Sequence, residues 1–107
     1  MHRNYESGRK FKAKIFNALS DPTRLEILEF LRDQEKCVCE IIPRLGLVQP
    51  LVSRHLKLLR ETGLVKGRKD GNRRLYSVTD TRIFDVTDAL TAELVETLSK
   101  RIVEQMV

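Results

Sequence analysis

The sequence is poor in cysteine and has no long apolar run. Only two cysteines occur among the 107 residues, and one residue separates them, so they cannot form the disulfide framework of a small secreted domain. No apolar stretch approaches the length of a transmembrane helix, and the start MHRNYESGRK lacks the apolar centre of a signal peptide. We therefore expect one cytoplasmic domain, with no membrane partner, whose cysteines have a chemical role.

Positive charge is concentrated in one part of the chain. The formal net charge is +5, yet residues 48–78 alone carry +6, whereas residues 15–47 carry −2 and residues 79–107 carry −3. A merely solvated basic surface would explain the +4 of residues 1–14 better than it explains this segment. The distribution favours a polyanionic partner for residues 48–78.

The segment 49–78 has the pattern of a DNA-reading helix followed by a basic hairpin. Leucines at helical spacing predict a helix over 48–62 with a polar exposed side. Asp70-Gly71-Asn72 predicts the tight turn of a hairpin over 64–79, since Gly71 can adopt a positive φ. Gly67, inside the first strand, indicates either a bulge or room for the DNA backbone.

The candidate DNA contacts are polar or basic side chains on the helix and on the two hairpin arms. Such groups can bind base edges in the major groove and backbone phosphates. They are Gln49, Ser53, Arg54, His55, Lys57, Arg68, Lys69, Arg73 and Arg74. His55 is the only histidine of its helix, so we expect a structural or DNA-contacting role for it and not metal binding.

Two further helices are predicted before this segment. Apolar residues at three- and four-residue spacing predict an amphipathic helix over 9–19, preceded by a flexible basic arm over 1–8. Ser20-Asp21-Pro22 is a strong helix start, because Ser or Asp caps free N–H groups and Pro is tolerated in a first turn. This second helix should end near Leu31 and bury its leucines.

Cys37 and Cys39 are the candidate sensing residues. On a regular helix, side chains two positions apart point about 200° away from each other, so two sulfurs converge only on extended backbone. Because Pro43 is best accommodated in a first turn, we expect the next helix to begin no earlier than about Glu40. The pair would then lie at a loop-to-helix boundary, where helix N–H groups favour the metal-binding thiolate.

Three motifs together resemble the ArsR/SmtB family of winged-helix repressors. They are LSDPTRLEILEFL, the box CVCE at 37–40, and VSRHLKLLRETGLV followed by a basic hairpin. The resemblance covers about residues 18–79. It implies a mostly α-helical winged helix-turn-helix of order α-α-α-α-β-β-α, whose first and last helices form a homodimer. It further implies a repressor that leaves its operator when a thiol-seeking ion binds.

The family's ligand patterns match this chain only in part. Arsenite-binding members often have a third cysteine where this chain has Ile42, cadmium and lead sensors use cysteines of an N-terminal arm that has none here, and zinc sensors use histidines that residues 82–107 lack. Since arsenite and antimonite prefer thiols, we expect As(III) or Sb(III) as the effector at Cys37 and Cys39. Cd(II), Pb(II) or oxidation of the cysteine pair are the alternatives.

A long apolar stripe marks the C-terminal part of the chain. Apolar residues recur every three or four positions from Ile83 to Ile102 and predict one helix over 82–106. A chain this short offers little to cover the stripe, so we expect it to form the dimer, although packing within one chain is the alternative. A dimer predicts double-stranded operator DNA with an imperfect inverted repeat.

Two other functional classes are weaker interpretations. A thiol enzyme would use the cysteine pair, but the sequence has no CxxC motif and no alternating strand–helix pattern. A winged-helix module that binds protein or RNA without regulating transcription would lack salt-dependent binding to its own promoter. We therefore expect no catalytic residue.

Overall fold

The computed structural model of this chain describes the backbone of residues 2–106 and the side chains of residues 8–106. Helices and strands follow in the order α1 (His2–Ala18), α2 (Pro22–Phe30), β1 (Lys36–Cys37), α3 (Val38–Leu45), α4 (Gln49–Glu61), β2 (Val65–Asp70), β3 (Arg73–Val78), α5 (Ile83–Ala89) and α6 (Ala92–Met106). The mostly helical fold with a small β-hairpin is confirmed.

Local capping fixes where the central helices begin and end. The carboxylate of Asp21 accepts hydrogen bonds from the N–H groups of Thr23 and Arg24 at 2.8 and 3.1 Å, which confirms the predicted start of α2. Gly46 ends α3 with a φ of 65°, a left-handed conformation that side chains disfavour. The turn at Gly46 sends the chain directly into α4.

The core lies where α2, α3 and α4 meet. Each helix turns its apolar side inward, and the largest fully buried side chains are Ile27, Leu28, Leu31, Ile41, Val52, Leu56 and Leu59. Burial of each such side chain contributes about 1.5–3 kcal/mol relative to exposure. This core holds α4 at a fixed angle to α3.

Within the described part of the chain, no helix is both long and apolar enough to cross a membrane.

The hairpin belongs to a three-stranded antiparallel sheet of order β1-β3-β2. The short strand β1 was not predicted; it pairs Cys37 with Leu75 of β3. Gly67 pairs with Tyr76 in an unbroken register, so the predicted bulge is wrong. A Cβ added at Gly67 would lie 3.0 Å from Cε1 of Tyr76, and the missing side chain therefore makes room for the tyrosine ring.

The ends of the chain differ from the predicted bounds. Helix α1 begins at His2, so the segment 1–8 expected as a flexible arm is helical from His2 on, and Met1 lies outside the described residues. The single helix expected over 82–106 is two helices. Thr91 lies between them and caps the second, because its hydroxyl accepts a hydrogen bond from the N–H of Leu94 at 3.2 Å.

Helices α1 and α6 leave most of their described surface exposed. The radius of gyration is 16.4 Å, against about 13 Å for a compact domain of this length. Every residue from 91 to 106 is exposed. The apolar side chains left in the open include Phe11, Phe16, Leu94, Val95, Leu98, Ile102 and Val103.

Candidate DNA interface and cysteine site

Helix α4 has a buried side and an opposite polar side. Val52, Leu56 and Leu59 are buried in the core, and because successive residues turn by about 100°, Ser53, Arg54 and Lys57 point away from it. All three are exposed. Val48 at the N-cap position makes no side-chain hydrogen bond to the helix, as the absence of Ser or Thr there predicts.

One groove runs between α4 and the hairpin. Gln49, Ser53, Lys57 and Arg60, spaced four, four and three residues apart, lie along its helical wall, and Arg74 and Tyr76 of β3 form part of its other wall. Arg60 was not among the predicted DNA contacts. Its helical spacing from the other three residues is the signal that could have identified it.

His55 lies on the flank of α4 that faces α2. It is half-buried, and its Nδ1 is 3.4 Å from Nη1 of Arg24. Arg24 in turn donates from Nε to the carbonyl oxygen of Ala18 at 2.6 Å, at the end of α1. The structure thus places His55 at a junction of three helices and away from the exposed side that carries Ser53 and Arg54.

The basic residues of the hairpin lie on two different faces. Side chains alternate along a strand, and directly paired residues share a face. Lys69 pairs with Arg74, and both line a pocket with Arg60, Gly67, Tyr76 and part of Arg68 on the side of α4. Lys66, Arg68 and Arg73 alternate with them and therefore belong to the opposite face. The sequence prediction treated Arg68, Lys69, Arg73 and Arg74 as one group.

Glu35 occupies the face opposite α4. Arg68 donates to its two carboxylate oxygens, from Nε at 2.8 Å and from Nη2 at 2.7 Å. These hydrogen bonds lower the pKa of Glu35, and the charges of Arg68, Arg73 and Lys66 lower it further. Arg68, a predicted DNA contact, is thus already paired with an anion of the protein.

Cys37 and Cys39 meet at the first turn of α3. Cys37 is the N-cap residue in extended conformation, with φ −75° and ψ 147°, and its Sγ accepts a hydrogen bond from the N–H of Cys39 at 3.1 Å. The two sulfurs are joined in a disulfide. Glu40 completes the cap, since its carboxylate accepts from the N–H of Cys37 at 2.9 Å.

The predicted start of α3 is therefore wrong by two residues. The helix begins at Val38 and contains Pro43, so the N–H that would bond the carbonyl of Cys39 is missing. One extended residue, Cys37, is enough to bring the sulfurs together, because an N-cap side chain folds back over the first helical N–H groups.

The cysteine site is open on one side only. Cys37 is buried, with 3% of its surface exposed, whereas Cys39 is exposed, so a reagent reaches the pair from the side of Cys39. Among residues 8–106, no three Cys, His, Asp or Glu side chains lie close enough together to hold a metal ion. The described protomer supplies two sulfurs and no third ligand.

Comparison with known proteins identifies this arrangement. The family model described as bacterial regulatory protein, arsR family, matches residues 21–66, which contain α2, the cysteine pair and α4. An HTH-type transcriptional regulator of Methanocaldococcus jannaschii, MJ1325, is 46% identical over 71 residues, which are 65% of this chain and 80% of that protein.

Two other similarities bear on function and assembly. The arsenical resistance operon repressor of Staphylococcus xylosus is 42% identical over 64 residues, which are 60% of this chain and 62% of that repressor. The solution structure of Mb0332 from Mycobacterium bovis, a homodimeric winged helix-turn-helix DNA-binding domain, has a TM-score of 0.78 at 27% identity. The alignment covers 87% of this chain and 89% of Mb0332.

Proposed function

The chain belongs to the ArsR family of DNA-binding transcriptional regulators, and we propose that it represses transcription by binding an operator that it releases when As(III) or Sb(III) binds Cys37 and Cys39. Membership of this family makes the protein a regulator and not an enzyme. The pairing of the two sulfurs at the start of α3, one short helix before α4, is the observation that carries the proposal.

The DNA-binding part of the proposal rests on the exposed side of α4 and on the hairpin. Ser53, Arg54 and Lys57 project from α4 where a major groove would lie, and Gln49 lines the groove beside the hairpin. Gln and Arg side chains bind the edges of adenine and guanine, respectively. The hairpin, as the wing, adds phosphate contacts.

The protein is further proposed to act as a homodimer. The apolar side chains of α1 and α6 are exposed in the single chain, and contiguous apolar surface of this kind marks interaction sites. The homodimeric Mb0332 domain shares the fold. Two copies of α4 related by a two-fold axis would read an imperfect inverted repeat.

Effector binding requires the reduced cysteine pair. Arsenous acid would then condense with both thiols, forming two As–S bonds and releasing two water molecules, while one hydroxyl stays on arsenic. Soft, thiol-selective ions suit two sulfurs better than zinc does, since zinc requires four ligands. Cd(II) or Pb(II) would need further ligands from the second protomer.

Helix α3, which begins at the cysteine pair, couples effector binding to DNA binding. Cys39 lies inside the first turn of α3, and its neighbour Cys37 is at once the cap of α3 and a residue of β1. An ion bridging the two sulfurs changes the geometry of this cap, and α3 packs directly against α4. A coupling free energy of about 1–3 kcal/mol is enough to shift operator binding five- to 150-fold.

The test is operator binding measured by fluorescence anisotropy with the reduced protein and the duplex upstream of its own gene. Arsenite, cadmium, zinc and peroxide are titrated into the complexes of the wild type, Cys37→Ser and Cys39→Ser. We expect arsenite to dissociate the wild-type complex and to leave both variants bound. If arsenite still dissociates the complexes of both variants, a role for the cysteine pair is contradicted.

The disulfide between Cys37 and Cys39 favours a second candidate, a redox-responsive regulator. Hydrogen peroxide would oxidise the two thiols to the disulfide. Its two oxygen atoms would take up the two thiol protons and leave as two water molecules. Exposed Cys39 would be the sulfur attacked first. Dissociation of the operator complex by peroxide but not by arsenite would replace the metalloid proposal with this one.

A further inference from the structure

We infer that the protein has a binding site for a DNA backbone phosphate between α4 and the hairpin, formed by Arg60, Lys69 and Arg74, and that the opposite face of the hairpin does not bind phosphate. This inference rests on the proposed DNA-binding function and deepens it. It divides the basic residues of the hairpin by the face on which they lie.

Three cations surround one small pocket. Arg60 comes from the last turn of α4, Lys69 from β2 and Arg74 from β3, and all three line the pocket together with Gly67 and Tyr76. Arg68 also lines it, but its guanidinium is already bound by the carboxylate of Glu35. Among residues 8–106, the ion pairs of the structure do not involve these three side chains. Cations from three elements facing one pocket form a site for a single anion.

The floor of the pocket explains why an anion can enter. At Gly67 the backbone carries no side chain, and its partner Tyr76 is buried, with 6% of its surface exposed. A larger residue at position 67 would meet the ring of Tyr76 and fill the pocket. The floor of the pocket therefore consists of the Tyr76 ring packed against Gly67, with no side chain of residue 67 in the way of an entering anion.

On the opposite face a carboxylate of the protein lies among the cations. Arg68 is held by both oxygens of Glu35, and the same carboxylate feels the charges of Lys66 and Arg73. On this face the negative charge beside the cations comes from Glu35. On the other face it would come from a DNA phosphate. A phosphate placed there would have to displace or tolerate a carboxylate.

Arg73 and Arg74 are a matched pair for the test, because they are adjacent, exposed and of equal charge but lie on opposite faces. Binding of the reduced full-length protein to a short random-sequence DNA duplex is measured over a range of salt concentrations. Arg74→Gln, Lys69→Gln and Arg60→Gln should each reduce the slope of log K against log salt by about 0.9, or ~8-fold in affinity near 0.1 M salt. Arg73→Gln should change affinity less than about two-fold, as expected for a screened charge without a phosphate contact.

The possible results distinguish a failure of the phosphate-site inference from a failure of the proposed DNA-binding function. Equal loss for Arg73→Gln and Arg74→Gln, in variants with unchanged thermal unfolding, would overturn the inference while leaving DNA binding intact. An unchanged slope for Arg60→Gln would also overturn it. Wild-type protein without salt-dependent DNA binding would remove the proposed function itself, and the phosphate site with it.

Discussion

Gly67 and Tyr76 face each other across the hairpin, and a methyl group fits between them only if the tyrosine ring shifts. A Cβ at Gly67 would lie 3.0 Å from Cε1 and 3.4 Å from Cδ1 of the ring. The ring is buried and cannot move away freely.

We therefore expect Gly67→Ala to destabilise the protein by about 1–3 kcal/mol, as overpacking does in other cores. Alanine restricts the unfolded chain more than glycine, which favours the folded state by only about 0.4–1 kcal/mol. In a Tyr76→Leu background the clash disappears, so the same substitution should be neutral or stabilising. Urea unfolding of the four proteins gives the comparison, and an equal effect in both backgrounds would contradict it.

The positions of Ser53 and His55 on α4 predict different losses. Ser53→Ala and Arg54→Ala remove side chains from the exposed side and should weaken operator binding selectively, by about 1–3 kcal/mol for a base contact. His55→Ala removes a half-buried contact to Arg24 and should lower thermal stability more than sequence selectivity. Affinities for operator and random duplexes, with melting curves, distinguish the two effects. Equal loss on both duplexes for Ser53→Ala and Arg54→Ala would exclude base contacts there.

The exposed stripe of α6 predicts a dimer that one charge can disrupt. Leu94→Glu places a carboxylate among apolar side chains and should shift sedimentation of the protein at micromolar concentration from dimer to monomer. Thr97→Glu adds the same charge on the polar side of α6 and is the matched control. A wild-type monomer that still binds operator tightly would exclude the dimer.

The uncapped start of α4 offers a stabilising substitution. Val48 is 69% exposed, and its φ of −72° and ψ of 148° suit a serine at an N-cap. Val48→Ser should raise the free energy of unfolding by about 1 kcal/mol, which corresponds to roughly 4–8 °C in Tm. Val48→Ala is the control for loss of the apolar side chain, and an equal gain in that variant would show that capping is not the cause.

The cap of α2 makes stability depend on pH. Hydrogen bonds from the backbone N–H groups of Arg24 and Thr23 lower the pKa of Asp21, the bond from Arg24 contributing most. The folded pKa then lies below the unfolded value of about 3.9. The stabilisation is therefore fully present above that value and is lost as pH falls through the folded pKa.

Asp21→Asn should reduce the fall in Tm below about pH 4, because asparagine keeps a capping oxygen but does not ionise in this range. At pH 7 its Tm should stay close to that of the wild type. Asp33→Asn, at an exposed aspartate, controls for the change in net charge. If Tm falls as much at low pH in Asp21→Asn as in the wild type, Asp21 is not the group responsible for this pH dependence.

Sequence was a good guide where the structural signal is local. The cap at Asp21, the helical spacing of the leucines in α4 and the turn at Gly71, whose φ is 62°, each depend on a few neighbouring residues. The start of α3 was misplaced because Pro43 is accommodated beyond the first turn. The strand β1 was missed because two residues carry no periodic signal and gain their order from pairing with β3.

The sequence alone does not predict contacts between residues that are far apart in the chain. Arg68 and Glu35 are 33 positions apart, and nothing near either residue indicates that they pair. The break between α5 and α6 was hidden because apolar residues keep the same spacing across it. Thr91 was its only local sign, and a threonine within a helical pattern is a weak one.

The isolation of α6 makes protein concentration a folding variable. A 15-residue helix with no buried residue is marginal in water. If its order depends on a second copy, dilution should melt α6 along with the dimer, and helical circular dichroism should fall while the core of α2, α3 and α4 stays folded. In a cell, the amount of repressor would then set the fraction with an ordered C-terminal helix, so that expression level tunes the fold as well as the occupancy of the operator.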